Sequence, residues 1–409
     1  MNPSAQDVFP RRRPPAIDVA VVGGGMVGAA AALALARAGF TTALIEARAP
    51  LLWRVQDEVD LRVVGLAPSS VKLLDDLDVW TSIRDARIGP YAHMHVWDAA
   101  SAASISFDAA SEGRQQLGYI VENNLVQWTL WQALESAGVR RLCPARVQTF
   151  EARGDSIQLE LSDGESISAG LLVAADGASS PLRQQAGIAT RGRDYGQSAV
   201  VAHLQTERPH ENTAWQRFLP AGPLALLPLA DGRSSLVWSL PEDEAQRVLA
   251  LDDDAFLAEL GFASDFRLGR ITATSARAAF PLKLQLAQSY QAERLVLLGD
   301  AAHTVHPLAG QGVNLGLRDV VELRDTLVTA RKAGKDIGAE HVLRPYARRR
   351  RSADTLDALG FDALARIYAW RAPALVAGRS LGVRLLDRLS PLKRHLAGHA
   401  AGLSRLPPR

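Results

Sequence analysis

The feature that most narrows what this chain can become lies near its start, in VVGGGMVGAAAAL. Residues 18–22 form a short apolar run suited to a buried parallel strand, and Gly23, Gly25 and Gly28 follow at G-x-G-x-x-G spacing. An Ala/Leu-rich stretch, opened by Met26 and Val27, then runs to Gly39. The pattern predicts strand, tight turn and helix. The first glycine permits the turn, the second lets backbone approach a pyrophosphate, and the third lets helix lie on strand. Free amides and the helix dipole then face the phosphates. A second run, residues 42–45, ends in Glu46, where a carboxylate accepts hydrogen bonds from ribose hydroxyls and repels a 2'-phosphate. This much predicts a dinucleotide and leaves FAD and NAD equally open. A glycine-rich turn with no ligand is the bland alternative.

Two later segments separate the cofactors. In LLVAADGASSPLR and LLGDAAHTVHPLAGQGVNLGLRD, apolar runs at residues 170–174 and 294–298 end in the pairs Asp176-Gly177 and Gly299-Asp300. Each puts a carboxylate at the carboxyl end of a strand, where open α/β sheets bind ligands. Asp300 reads as a hydrogen-bonding partner of a ribityl chain. Residues 306–314 then combine a proline, small or glycine positions and a polar residue ahead of a helix predicted over 315–330. Such a turn presents amides and a positive helix end to the electron-rich edge of a reduced flavin. Ser180 and Arg183 read as groups that cap and pair around the Asp-Gly turn.

In order and spacing, GGGMVG, ADGASSPLR and GDAAHTVHPLAGQGVNLGLRD resemble the flavin signatures of the para-hydroxybenzoate hydroxylase class of aromatic monooxygenases. Within it the chain is most similar to the hydroxylases of ubiquinone biosynthesis, through LRVVGLAPSSVKLLDDLDVW, LGYIVENNLVQWTLWQALE and SLVWSLPEDEAQRV as well. The likeness covers most of residues 17–350. It implies that Gly23, Gly25, Gly28 and Glu46 hold the ADP half of FAD, with the backbone of Val147 at the adenine. Arg62, Asn123, Asp176 and Asp300 would line the middle of the cofactor. Pro307, Gly310, Gln311, Gly312, Val313 and Asn314 would lie beside the isoalloxazine. Two positions depart from the pattern: Gly65-Leu66 stands where relatives often have Ala-Ile, and Asn123 replaces a longer Arg or Gln.

The fold implied is α/β: a Rossmann-like, three-layer FAD-binding domain, an antiparallel β-sheet substrate domain and a helical C-terminal tail. The expected division gives residues 17–74, 100–185 and 275–345 to the FAD-binding domain. Residues 75–99 and 186–274 go to the substrate domain, 1–16 to a flexible tail and 346–409 to a basic helical region. The activity implied is cofactor chemistry, in which NAD(P)H reduces FAD, O2 adds to give a flavin C4a-hydroperoxide, and hydroxyl passes to the ring of a polyprenylated phenol. A single G-x-G-x-x-G leaves no separate nicotinamide-binding unit in view. A flavin reductase of the same fold acting on a prenyl lipid, and a non-catalytic FAD-binding member of a biosynthetic complex, stay open. The lack of a W-x-W-x-I-P stretch argues against halogenase relatives.

No acid or base stands out. His303 and His306 in the flavin loop are candidates through substrate ionisation, with hydrogen bonding to backbone as the alternative, and Pro307 is a candidate through rigidity. Residues 195–240 alternate as strands between the hairpin signals Gly222-Pro223 and Asp231-Gly232, which would roof the flavin. Phe218, Leu226 and Trp238 are then candidate walls for an aromatic substrate, although each residue type is also ordinary core.

Length and composition set outer limits. At 409 residues with 47% hydrophobic content, the chain can build two or three cores. The single Cys143 excludes an internal disulfide and a cysteine-cluster metal site, which suits a reducing cytoplasm, and no metal is expected. The N-terminal residues lack an apolar signal region. The basic residues lack the interleaved aromatics of a nucleic-acid platform. Residues 341–409 carry fourteen Lys or Arg against four Asp, including the run 348–351. Leu381, Leu385, Leu389, Leu392 and Leu396 recur there at helical spacing, and Ser390-Pro391 marks a break between helices. The region fits either peripheral contact with the inner face of an anionic membrane or with other ubiquinone-biosynthesis proteins, or a solvated helical face. A homo-oligomer is equally open.

Overall fold

The computed structural model describes residues 17–305, 312–369, 372–388, 398, 401 and 402. The predicted 1–16 tail, the candidates His306, Pro307, Gly310 and Gln311, and Leu389, Ser390-Pro391, Leu392 and Leu396 therefore lie outside the described residues.

Ile17–Val22 pairs in parallel with Thr42–Ile45 on one side and Ser166–Ala174 on the other. Arg140–Leu142 and Leu295–Leu297 add one parallel strand at each flank. Three antiparallel strands, Val147–Arg153, Ser156–Leu161 and Gln291–Ala292, complete an eight-stranded sheet. The central strands read as unbroken apolar runs because both faces are covered. In register, Val22 lies opposite both Ile45 and Ala174, and Ala174 opposite Leu297. Four strands thus end together and release their next residues along one edge.

The helix Met26–Arg37 lies on this sheet with every residue from Gly28 to Leu35 buried. A helix apolar all round is a core helix, and here its alanines let sheet and neighbouring helices close in. Pro68–Asp76 and Trp80–Ala86 contribute Leu73, Leu74, Trp80 and Ile83 to the same core.

The second sheet has nine strands. From one edge it runs through His303–Thr304, Ala278–Ala287, Thr190–Thr206, Ser234–Pro241, Gly222–Pro228, Thr213–Leu219, His93–Asp98 and Ser104–Asp108, with Ile271–Thr274 also pairing on Thr190–Thr206. All its pairings are antiparallel except that of Thr213–Leu219 with His93–Asp98. The expected division differs here. Ser104–Asp108 and Ala278–Ala287, assigned to the first unit, pair within the second sheet, whereas Trp80–Ala86, assigned to the second unit, packs in the first core. The chain crosses between the sheets more often than local pattern reveals.

Strand alternation decides what each face of this sheet does. Leu226 pairs with Leu236 and Leu224 with Trp238, and this set forms a core under the helices Glu242–Ala250 and Asp253–Ala263. Ala214, Ala225 and Leu227 take the other face and pack on Ile120, within the small sheet of Val63–Leu66, Gly118–Glu122 and Gly89–Tyr91.

Gly312–Lys332, Glu340–Ala369 and Pro373–Arg388 close the molecule. The last two are fastened to the second sheet by a stacked pair, Phe218 on Tyr368 at 3.8 Å, and by the buried ion pair of Arg379 with Asp98 at 2.7 Å. Among the described residues, no helix is long and apolar enough to cross a membrane.

Candidate functional site

The common strand edge collects the predicted residues. Glu46 follows Ile45 directly, Asp176 comes two residues after Ala174, and Gly299-Asp300 begins two after Leu297. Between them lies the turn Gly23 to Gly25. Its glycines are required for different reasons. Gly23 has φ +105°, and a Cβ there would meet the carbonyl oxygen of Ala175 at 2.2 Å. A Cβ on Gly28 would come within 1.9 Å of the Gly23 carbonyl oxygen. Gly25 is different: its backbone is ordinary extended chain, and nothing lies within 4 Å of where a Cβ would be. Neither conformation nor packing asks for glycine at 25, whereas a pyrophosphate approaching the backbone does. The helix behind it has no side-chain cap and no acidic residue in its first turn, leaving its amides for an anion.

Glu46 secures this turn. One of its carboxylate oxygens accepts from the Gly24 amide and the other from the Arg48 amide at 2.9 Å, while Gln127 donates to the Gly24 carbonyl at 2.8 Å. Gln127 was not foreseen. The only signal for it is its place one helical turn after Asn123 on Asn123–Ser136. Val147 opens its strand close by, since Ala145 donates to the Glu46 carbonyl at 2.9 Å.

The middle of the edge carries unsatisfied polar atoms. Asp176 accepts from the Leu182 amide at 3.1 Å through one oxygen, but its other oxygen and Oδ1 of Asn123 are buried without a partner among the described residues. Buried polar atoms are seldom left so, and hydroxyls of a bound ligand would satisfy them. Burial raises the Asp176 carboxyl against the Ser180 hydroxyl, which lowers it. Arg183 spends itself on the scaffold, donating to the carbonyls of Ala301 and Ala178 at 2.8 Å each, so that it ties the two acid-glycine turns together. Asp300 is exposed to solvent. The protein packed around its carboxyl pushes it up, opposed by the charges of His303 and Arg62. Arg62 is exposed and lies over the Phe280 ring.

The segment after 311 joins this edge through packing. Val27 wedges between Gly299 and Gly316, since a Cβ on either glycine would meet its methyls at 3.2 and 2.5 Å. Gly312 and Val313 begin the long helix. Asn314 is buried, accepting from the Ala67 amide and the Ser70 hydroxyl at 2.9 and 2.7 Å and donating to the Gly65 carbonyl at 2.7 Å. Its side chain therefore clamps the helix start to residues 65–70.

Of the three candidate substrate walls, the structure turns two away. Leu226 and Trp238 belong to the core under the helices 242–250 and 253–263, on the far face of the sheet. Alternation from the observed register decides between the wall and core readings that residue type leaves open. Phe218 stacks on Tyr368.

A buried charge cluster beneath Gly299-Asp300 was also unforeseen. His303 Nε2 lies 2.6 Å from Asp319 Oδ2, which also accepts from the Gly299 amide at 2.9 Å. Arg350 donates to the other Asp319 oxygen at 2.5 Å and to Asp354, whose second oxygen is 3.6 Å from His303. Burial alone would lower the His303 pKa; Asp354 and Asp319 outweigh it and push it up to about 9. His303, Asp319 and Asp354 have the spacing of a metal site, but the Arg350 guanidinium already supplies a cation to both carboxylates. The run 348–351 is thus not one solvated face, for Arg350 is buried. Its pairing with Asp354 at i,i+4 was the available sequence signal.

Comparison with known proteins places this geometry. The family description "FAD binding domain" matches residues 16–355. The chain is 39% identical to the 3-demethoxyubiquinol 3-hydroxylase of Escherichia coli, covering 94% of this chain and 98% of that one. It is 37% identical to the ubiquinone hydroxylase UbiL of Rhodospirillum rubrum (96% and 91% covered). With the human mitochondrial ubiquinone biosynthesis monooxygenase COQ6 it shares 36% (94% and 92%). Among solved structures, p-nitrophenol 4-monooxygenase PnpA of Pseudomonas putida superposes with TM-score 0.75 at 18% identity, over 96% of this chain and all of that one. The Klebsiella pneumoniae HpxO complex with FAD and uric acid gives 0.72 at 21% (93% and 97%), a likeness of fold.

Proposed function

The chain belongs to the FAD-binding-domain family that includes the ubiquinone hydroxylases, and from that premise we propose that it hydroxylates the aromatic ring of a polyprenylated phenol in ubiquinone biosynthesis. The observation that carries this reading is the common strand edge, where an open approach at Gly25 and the carboxylates of Glu46, Asp176 and Asp300 lie in one line. Bound FAD would supply electron transfer from NAD(P)H and the activation of O2.

The chain's own residues do the placing. Gly23, Gly25, Met26 and Gly28 offer backbone and a helix N-terminus to the pyrophosphate, Glu46 faces the ribose, and Val147 lies at the adenine. Asn123, Asp176, Gly177 and Asp300 offer acceptors to the ribityl hydroxyls, with Arg62 above them. Gly312, Val313 and Asn314, at the start of the long helix, would lie beside the ring. Val27 and Gly299 set the distance between the two halves. The nine-stranded sheet would roof the flavin and keep bulk water from the reacting centre.

The decisive experiment reduces flavin-loaded protein anaerobically with NADPH, with and without a short-chain prenylphenol, then admits O2 and analyses the phenol by mass spectrometry. Substrate-stimulated flavin reduction followed by a product heavier by one oxygen is expected. Turnover that proceeds without O2 would replace this reading with a prenyl-lipid reductase.

A lipid-borne substrate also calls for a route to the bilayer. Arg344, Arg348 and Arg351 surround a surface recess of about 640 Å³ on the helix Glu340–Ala369, together with the half-exposed leucines Leu356 and Leu359. Cationic side chains around exposed apolar ones suit peripheral contact with an anionic membrane surface. Flotation with anionic vesicles should be lost in the charge-reversed double variant Arg348→Glu, Arg351→Glu. Retained flotation would leave partner proteins as the carriers of the substrate.

A further inference from the structure

We propose that His303 is a positioning residue for the flavin site: as an imidazolium whose Nε2 faces both Asp319 and Asp354, it fixes the end of the turn that carries Asp300 and keeps that carboxylate ionised as a hydrogen-bond acceptor. The inference rests on the flavin reading of this edge. It adds a role for a cluster that touches no ligand.

The geometry has two parts. Asp319 Oδ2 receives both the Gly299 amide and His303 Nε2, at 2.9 and 2.6 Å, so a single carboxylate oxygen pins the two ends of the segment that carries Asp300. Asp319 is held in turn by Arg350 from the helix Glu340–Ala369, and His303, Asp319 and Asp354 are all fully buried. A segment anchored by charge-assisted hydrogen bonds on a rigid core can present its one exposed carboxylate in a fixed direction.

The second part is electrostatic. Although Asp300 is exposed, the protein packed around its carboxyl favours the neutral acid, and His303 and Arg62 are the charges that oppose this. Arg62 is exposed and screened by solvent, whereas His303 is not. The cluster can supply this charge because its signs balance. His303 and Arg350 offset Asp319 and Asp354, and Arg318 offsets Asp357 at 3.3 Å. Tyr290, from the segment before the last parallel strand, and Tyr346, from the closing helix, also face the cluster, and burial keeps both phenols protonated. Burial raises the Asp354 carboxyl to about 6, and His303 releases its proton at about 9. Between those values the four central charges cancel. Below the first the cluster gains positive charge, and above the second it loses the cation that acts on Asp300.

The test is FAD affinity, measured by flavin fluorescence from pH 5 to 10, with thermal unfolding of the FAD-free protein recorded in parallel. Wild-type affinity should fall on acidification as Asp300 takes a proton. In His303→Gln, which keeps a donor towards Asp319 but no charge, that acid limb should move up by about one pH unit, the low end of what an opposite charge produces. Combining Asp300→Asn with His303→Gln should abolish the shift, because no carboxylate then titrates. A loss of affinity that is the same at every pH would make His303 merely structural and overturn the proposal. Should His303→Gln fail to fold, nitrogen-15 NMR of labelled histidine in the wild-type holoenzyme decides instead: one imidazole protonated at pH 8 supports the proposal, and a neutral His303 at pH 7 overturns it. A wild-type protein that binds no FAD at any pH would overturn the functional reading itself, a result distinct from either.

Discussion

The two turns that face each other across the strand edge are held by different physics. Gly23 to Gly28 is fixed by backbone geometry and close packing, including that of Gly23 on the Ala175 carbonyl, and by hydrogen bonds to Glu46 and Gln127. Gly299 to His303 is fixed by buried ions from two helices, Asp319 and Arg350, far along the chain. Steric fit is insensitive to pH. An ionic clamp is not, and it places the second turn under the influence of the helix that also carries the basic surface recess.

Breaking the ionic side should have the largest effect. Arg350→Met leaves two buried carboxylates facing one imidazolium and should cost about 3–5 kcal/mol in chemical denaturation. A loss below about 1 kcal/mol would mean that the cluster behaves like a surface pair. On the steric side, Gly28→Ala should cost about 1–3 kcal/mol through overpacking and abolish FAD retention. Gly25→Ala sharpens the contrast: its Cβ meets open space, so the unfolding midpoint of the FAD-free protein should stay put while FAD affinity drops at least about tenfold. A destabilised Gly25→Ala protein would show that the space is not reserved for ligand.

The third difference is in pH. His303 has its folded pKa raised above the ordinary value, so its stabilising contribution is complete below about pH 6.5 and is lost as pH rises through about 9. Unfolding free energy should therefore fall across that interval, and the fall should be absent in His303→Gln. The smallest effect is expected from Glu46→Gln. An amide can accept from only one of the Gly24 and Arg48 amides, costing about 1 kcal/mol in the half-buried turn. FAD affinity should drop with it, as read by isothermal titration.

Much of this site was legible in the chain. The apolar runs ending in Glu46, in Asp176-Gly177 and in Gly299-Asp300 could be read as strands delivering carboxylates to one edge, because strand, turn and acid are contiguous. Arg183 could be read as a tie around the Asp-Gly turn for the same reason. For Leu226 and Trp238 the sequence leaves substrate wall and ordinary core both open, because it shows that residues alternate but not which set faces which partner. Register supplies that, and register depends on hydrogen bonds to strands elsewhere in the chain.

The sequence by itself determined the cofactor class, the α/β frame with its added antiparallel sheet, and the glycines without which the first turn cannot close. These rest on short-range sterics and on motifs whose parts are contiguous in the chain. Only the tertiary structure decided that Arg350 is a core ion within a basic run, that Asn314 clamps residues 65–70, and that His303 is sealed beneath the site. Each depends on which helix face meets which strand end, and burial, the source of both the cost and the strength of those charges, exists only once the chain has closed around them.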